Sequence, residues 1–253
     1  SIASENGSMS NYSSASWVNA MHNRGLQVWP LVDDFNKSVD FKALYSSRTA
    51  RKTMIDTLIK DARAYGYDGI NLDLENVKSD YAKDFLQFVR ELSVECHKNN
   101  IILSTDNYKP EAYNSCYNLK EQSDYVDYAI VMAYDEHYQG SEESGSVSSL
   151  EFVKNGVASM VASVPKERVV AALPFYTRLW KESKSKGGKP TSQAYGMSAA
   201  ETILKSHDTT AKWDDTTGQY FAQYKDGGYT YKIWLEEETS LGKKMDEVAK
   251  QKV

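Results

Sequence analysis

Apolar and polar positions along the chain switch between period 2 and period 3.6, and their order predicts strand then helix, repeated. Residues 26–32, after Gly25, form an apolar run that predicts a buried strand. Residues 51–65 carry Ile55, Leu58, Ile59 and Ala62 at helical spacing, with Gly66 as the stop. Residues 69–75 alternate and predict the second strand. Residues 81–96 set Tyr81, Phe85, Phe88, Val89, Leu92 and Cys96 on one helical stripe. Strands follow over 101–105 and 125–134, then a helix over 150–161 with a loop at Pro165, then a fifth strand over 169–175. Strands that alternate with helices imply a parallel sheet covered by helices, an α/β fold.

The pattern changes near residue 180. Residues 181–190 are rich in Lys, Ser and Gly and predict an exposed loop. Residues 198–206 predict a short helix. Residues 219–224 and 229–235 flank Asp226-Gly227-Gly228, a hairpin signal, and 239–250 is an amphipathic helix. The expected organisation is a partial (β/α) barrel over 1–179, a small α+β insertion over 180–238, and a last barrel helix over 239–253. A closed (β/α)8 TIM barrel takes about 250 residues, so with the insertion subtracted only five or six βα units fit. Two arrangements are open: an open α/β sheet, or a TIM barrel with strands at both ends outside this sequence. Residues 1–10 read as a loop that a strand should precede.

Composition narrows the function classes. Hydrophobic residues at 41% and charged residues at 26% of 253 are a globular mix that excludes disorder. No apolar run approaches the ~18 residues of a membrane span. Thirty Lys and Arg against 35 Asp and Glu leave a net charge of −5 and no basic stripe, which argues against nucleic acid as a partner. Two cysteines, Cys96 and Cys116, are too few for a disulfide scaffold. Cys96 closes a helix and Cys116 follows a strand, so the two are expected at opposite ends of the fold, beyond bridging distance. No His, Asp and Glu spacing of the H-E-x-x-H kind occurs, so neither a metal nor another cofactor is implied.

The chemistry concentrates in Asp68-Gly69-Ile70-Asn71-Leu72-Asp73-Leu74-Glu75. Alternate strand side chains share a face. Ile70, Leu72 and Leu74 point one way; Asn71, Asp73 and Glu75 form a row on the other, ~6.6–7 Å apart. The bland alternative is a half-exposed strand with polar residues in water. A strand between two helical segments should be covered on both faces, which disfavours it. Two enclosed carboxylates raise the pKa of one of them, and a Glu held protonated near neutral pH is a competent general acid. The pair also ends a strand, where parallel α/β enzymes place their sites.

This octapeptide resembles the D-G-x-D-x-D-x-E signature of glycoside hydrolase family 18, the chitinase-like enzymes, with Asn71 where chitinases usually carry Asp. Together with Met132-Ala133-Tyr134-Asp135-Glu136-His137 and Leu173-Pro174-Phe175-Tyr176-Thr177-Arg178-Leu179-Trp180, it is most similar to the branch of spore-cortex-lytic N-acetylglucosaminidases. The resemblance implies a TIM barrel whose first two strands and last strand lie outside this sequence. It implies a retaining hydrolase of N-acetylglucosamine-containing polysaccharide, peptidoglycan of the spore cortex or chitin, that works by substrate-assisted catalysis. Glu75 would be the acid, Asp73 would hold the substrate acetamide nitrogen, and Tyr134 would bond the acetamide oxygen. A secreted, cell-wall- or spore-associated monomer is expected. Further sugar contacts are expected from Asn71, Asp135, Tyr176, Arg178, Trp180 and Asn107, with Glu236 a weaker candidate. Glu136 and His137 could bind sugar or simply face water.

Asn cannot titrate, so Asp73 is expected to feel one fewer neighbouring charge than in chitinases. Two other readings compete. One is a chitinase-like lectin that binds such polymers without cleaving them, which retention of Glu75 disfavours. The other is an unrelated barrel enzyme using the carboxylates for Mg²⁺.

Overall fold

The structure, a computed structural model, describes residues 1–183 and 188–253. The chain divides into two compact units, Ser1–Ile130 with Ala162–Val170, and Val131–Val161 with Ala171–Val253.

The first unit contains α1 (Ala15–His22), β1 (Leu31–Asp33), α2 (Phe41–Ser46), α3 (Arg48–Tyr65), β2 (Gly69–Asp73), α4 (Ala82–Lys98), β3 (Ile102–Tyr108) and α5 (Leu119–Gln122). The sheet is completed by β4 (Tyr128–Met132) and β5 (Val169–Ala172), in the order β1-β2-β3-β4-β5. β1 with β2 and β2 with β3 pair in parallel, which establishes the α/β class; the sheet has five strands. The helix α3 begins at Ser47, whose hydroxyl accepts from the Ala50 amide, and ends at Gly66 in the left-handed conformation. It buries Met54, Ile55, Leu58, Ile59 and Ala62, while α4 buries Phe85, Phe88, Val89, Leu92 and Cys96. Arg51 of α3 grips Glu91 of α4 with two hydrogen bonds, at 2.9 and 3.0 Å, so the helices flanking β2 are tied to each other as well as to the core.

The second unit holds α6 (Leu150–Val161), β6 (Tyr176–Ser183), β7 (Thr191–Gly196), α7 (Met197–Ser206), β8 (Lys212–Asp214), β9 (Gln219–Asp226), β10 (Tyr229–Leu235) and α8 (Glu238–Lys250). Its antiparallel sheet runs β7-β6-β10-β9-β8. The hairpin turn predicted at Asp226-Gly227-Gly228 is present, with φ of 53° and 85° at the two glycines. Ala200 and Leu204 of α7 pack on Ala222 and Ile233. At the start of α8, Glu236 is buried against Lys244 and also accepts from Gln219 at 2.6 Å and Ser240 at 3.1 Å. Burial lifts the Glu236 carboxyl to about 7 and lowers the Lys244 ammonium.

Several expected boundaries shift. The 26–32 run forms a strand only from Leu31, because Pro30 has no N–H to return to the ladder; Val28 and Pro30 instead accept from Asp68 and Asn71. α1 and α2 had no clear periodic signal. The loop expected over 181–190 begins as strand: Lys181, Glu182 and Ser183 belong to β6, whose partner β7 was also missed, and residues 184–187 lie outside the described residues. Both strands are largely polar and open on one face, so neither gives an apolar run. β3 extends three residues past its expected end, which alters the site.

Candidate active site

The Asp-Gly pair that opens β2 is structural. Asp68 accepts from the Val28 amide at 2.7 Å and pairs with His22 at 2.9 Å. A Cβ at position 69 would lie 2.8 Å from the Trp29 ring and 3.0 Å from the Ile102 carbonyl oxygen, so only glycine fits there. β2 then alternates as expected. Ile70, Leu72 and Leu74 are buried in the apolar layer, and Asn71 and Asp73 share the opposite face. The strand ends at Asp73, and Glu75 sits on the segment just beyond it.

That segment is clamped. Asp34, fully buried, accepts from the Glu75 amide at 3.0 Å, the Asn76 amide at 2.8 Å and the Asn76 side chain at 2.9 Å. Tyr117 donates to the Leu74 carbonyl at 2.9 Å, and Tyr81 donates to the Asn76 carbonyl. Burial outweighs these donors and raises the Asp34 pKa. The Glu75 backbone is therefore fixed by three side chains from elsewhere in the same unit.

β3 supplies a second polar row. Asn71 is in register with Ser104, and Leu72 with Thr105, so Asp106 comes level with Asp73, and Tyr108 with Glu75. Ser104 donates to Asn71 Oδ1 at 2.7 Å, and Asn71 Nδ2 donates to Asp106 Oδ2 at 2.8 Å. Tyr108 donates its hydroxyl proton to Glu75 Oε2. Asp73 is 8% exposed, and its Oδ1 is buried without a hydrogen-bond partner. Burial first, then the charges of Glu75, Asp106, Asp34 and Asp33, lift the Asp73 carboxyl to about 7. Burial also raises Asp106, with Glu75 adding to it, and raises the Tyr108 hydroxyl, reinforced by its bond to Glu75.

Asn107, expected in the groove, belongs to the other face of β3. It is buried and bonds Thr105 at 3.1 and 3.2 Å. The residues on the carboxylate face are its neighbours Asp106 and Tyr108. Period-2 alternation through residue 108 would have found them.

In the second unit, the Tyr176 hydroxyl donates to Asp135 Oδ1 at 2.5 Å, which with burial raises the Tyr176 pKa. The Tyr134 and Tyr176 rings meet edge to face at 6.4 Å. Asp135 is exposed and has φ of 57°, a left-handed value uncommon outside glycine. Tyr134, Asp135 and Tyr176 thus form one cluster. Arg178 donates to Ser192 at 3.3 Å, and its Nε is buried without a partner. Trp180 is not the sugar contact expected: it is fully buried and donates to the Gly145 carbonyl at 2.8 Å. Glu236 cannot reach a cleft either, since Lys244 holds it in the interior. Glu136 accepts from the Ser149 amide and hydroxyl at 2.7 and 3.0 Å, at the start of α6. His137 Nδ1 lies 2.9 Å from the Ser146 carbonyl. Among the described residues, no group of three or more His, Cys, Asp or Glu side chains could hold a metal ion, and no helix is long and apolar enough to cross a membrane.

The sequence profile of the glycosyl hydrolases family 18 matches residues 2–253. The uncharacterized glycosylase YvbX of Bacillus subtilis is 25% identical over 230 residues, 85% of this chain and 65% of YvbX. The cortical fragment-lytic enzyme of the same organism is 21% identical over 212 residues, 81% of this chain and 49% of that protein. The chain therefore spans less than two thirds of either relative. The crystal structure of YdhD, a candidate sporulation-specific glycosylase of Bacillus subtilis, superposes with a TM-score of 0.91 at 20% identity, over 99% of this chain and 85% of that one; at this identity the likeness is one of fold.

Proposed function

The chain belongs to glycosyl hydrolases family 18, and from that membership we propose that it is a retaining hydrolase of N-acetylglucosamine-containing polysaccharide working by substrate-assisted catalysis. The observation that carries this reading is Asp73 beside Glu75 at the end of β2: one carboxyl buried and lifted to about 7, the other clamped through its backbone. Glu75 protonates the glycosidic oxygen. The substrate's acetamide oxygen attacks the anomeric carbon, the bond to the leaving sugar breaks, and a cyclic oxazolinium ion forms. Asp73 accepts from the acetamide N–H. Positive charge developing on the acetamide makes its N–H a stronger donor to Asp73, so this stabilising interaction strengthens towards the transition state. Glu75, now ionised, deprotonates the water that opens the ring with net retention. This family falls outside the two-carboxylate spacing rule, so the Asp73–Glu75 separation does not set the stereochemistry.

Tyr134 is proposed as the donor to the acetamide oxygen, and Asn71, Asp135, Tyr176 and Arg178 as further sugar contacts. The name of the cortical fragment-lytic relative favours spore-cortex peptidoglycan as the polymer and the spore as the place of action, with chitin as the alternative. Incubation of the protein and of Glu75→Gln with chitooligosaccharides and cortex muropeptides tests the reading. Cleavage by the parent alone supports it; equal binding by both without cleavage would replace it with a lectin.

A further inference from the structure

The hydrogen-bonded chain Ser104–Asn71–Asp106 fixes the side chain next to Asp73 from both ends. The Asn71 carbonyl oxygen is taken by the Ser104 hydroxyl and its amino group by Asp106. Flipping the amide would set its carbonyl oxygen against the Asp106 carboxylate, so its orientation is determined. Beside it stands Asp73, 8% exposed, with an oxygen that no donor reaches. A carboxylate in that position is costly, and the acid form relieves the cost.

The groups acting on Asp73 are Glu75 from its own segment, Asp106 and the Tyr108 hydroxyl from β3, and Asp33 and Asp34 from β1 and the residue after it. These acidic neighbours are not equivalent. The charge of Asp34 is offset by two backbone amides and an Asn76 side chain. Asp33 accepts from the Ser1 hydroxyl and the Phe35 amide. Glu75 accepts from Tyr108. Asp106, like Glu75, has a single neutral donor, here Asn71, and of these two it is the one that also binds the side chain standing next to Asp73 on β2.

We infer that Asp106 is a positioning residue: its carboxylate orients the Asn71 amide and holds Asp73 in the acid form that begins each turnover. Its catalytic consequence rests on the hydrolase reading; its effect on Asp73 does not. Asp106→Asn keeps an acceptor for Asn71 and removes only the charge. Asp106→Ser is a second neutral variant, and Asp106→Glu keeps the charge. In Asn71→Asp/Asp106→Asn the carboxylate and the amide exchange places.

Carboxyl-carbon NMR titration of Asp73 in the full chain reads the effect without substrate. Both neutral variants should move the Asp73 midpoint to lower pH by about 1 unit, the lower end of what a nearby like charge supplies. Asp106→Glu and the exchanged pair should return it to the parent value. With chitooligosaccharide, the neutral-side limb of kcat/KM should move with the midpoint, an approximately tenfold loss above the limb for each unit. An Asp73 midpoint unchanged in the neutral variants, or not restored by the exchanged pair, would overturn the inference. If the parent cleaves no substrate, the hydrolase reading fails while the titration still decides the role of Asp106.

Discussion

Replacing Asp73 by Asn should remove activity and, above neutral pH, stabilise the fold. The parent carboxyl moves from 3.8 to about 7 on folding. A folded-state pKa raised above the unfolded one means that the native protein binds this proton more tightly. Stability then falls as pH rises from about 4 to about 7, by at most ~1.4 kcal/mol per pH unit, and the whole loss is present above 7. Three units give a ceiling of about 4 kcal/mol, and about 2 kcal/mol is a reasonable expectation once local relaxation is allowed. Asn is close in shape to the protonated acid and does not titrate. The assay is urea unfolding of parent and variant between pH 4 and 8, followed by tryptophan fluorescence. The difference should be near zero at pH 4, grow through pH 5.5 and level off above 7. Titrations of other carboxyls common to both proteins largely cancel. A difference that does not change with pH, or a variant that loses stability in parallel with the parent, would refute the placement of Asp73 as a buried acid.

Glu75→Gln should leave the unfolding midpoint close to the parent's and reduce kcat by at least ~100-fold, the low end of what a positioned acid–base supplies. Tyr108→Phe removes the hydroxyl bonded to Glu75 and should lower kcat/KM by roughly 10- to 100-fold, the equivalent of a ~1.5–3 kcal/mol bond to a charged group, measured by steady-state kinetics. Gly69→Ala forces a methyl into the Trp29 ring and the Ile102 carbonyl; calorimetry should show a loss of about 1–3 kcal/mol. Glu236→Ala strands Lys244 in the interior and should cost about 3–5 kcal/mol in urea unfolding, while Glu236→Gln/Lys244→Met should recover most of it.

The core of the site was legible because β2 obeys the simplest rule available, alternation. Asn71 and Asp73 share a face opposite three buried aliphatic residues, and a strand between helices must be covered. The partner row was not read because Asp106-Asn107-Tyr108 looks like a polar loop after a short apolar strand. In fact Leu103, Thr105 and Asn107 are buried on one side while Asp106 and Tyr108 meet Asn71 and Glu75 on the other. Asp106 also changes the reading of Asn71. The charge expected to be absent from position 71 stands one strand away, bonded to it. Asp34 gave no signal at all, since its role depends on a contact with residues about forty positions later. Trp180 misled in the opposite sense. Its type and its place after a strand suit a sugar platform, but burial is decided by the sheet around it. The polar strands β6 and β7 were lost for a related reason: an open antiparallel sheet needs little apolar sequence to form.

The stereochemistry of the first product tests the central claim most directly. Proton NMR during hydrolysis of a chitooligosaccharide should show the β-anomer appearing first, with the α-anomer growing only by mutarotation, and the partly deacetylated oligosaccharide should resist cleavage where the acetamide is missing. An α-anomer formed first, or equal cleavage without the acetamide, would contradict a mechanism in which Asp73 orients the substrate's own nucleophile and Glu75 supplies the proton.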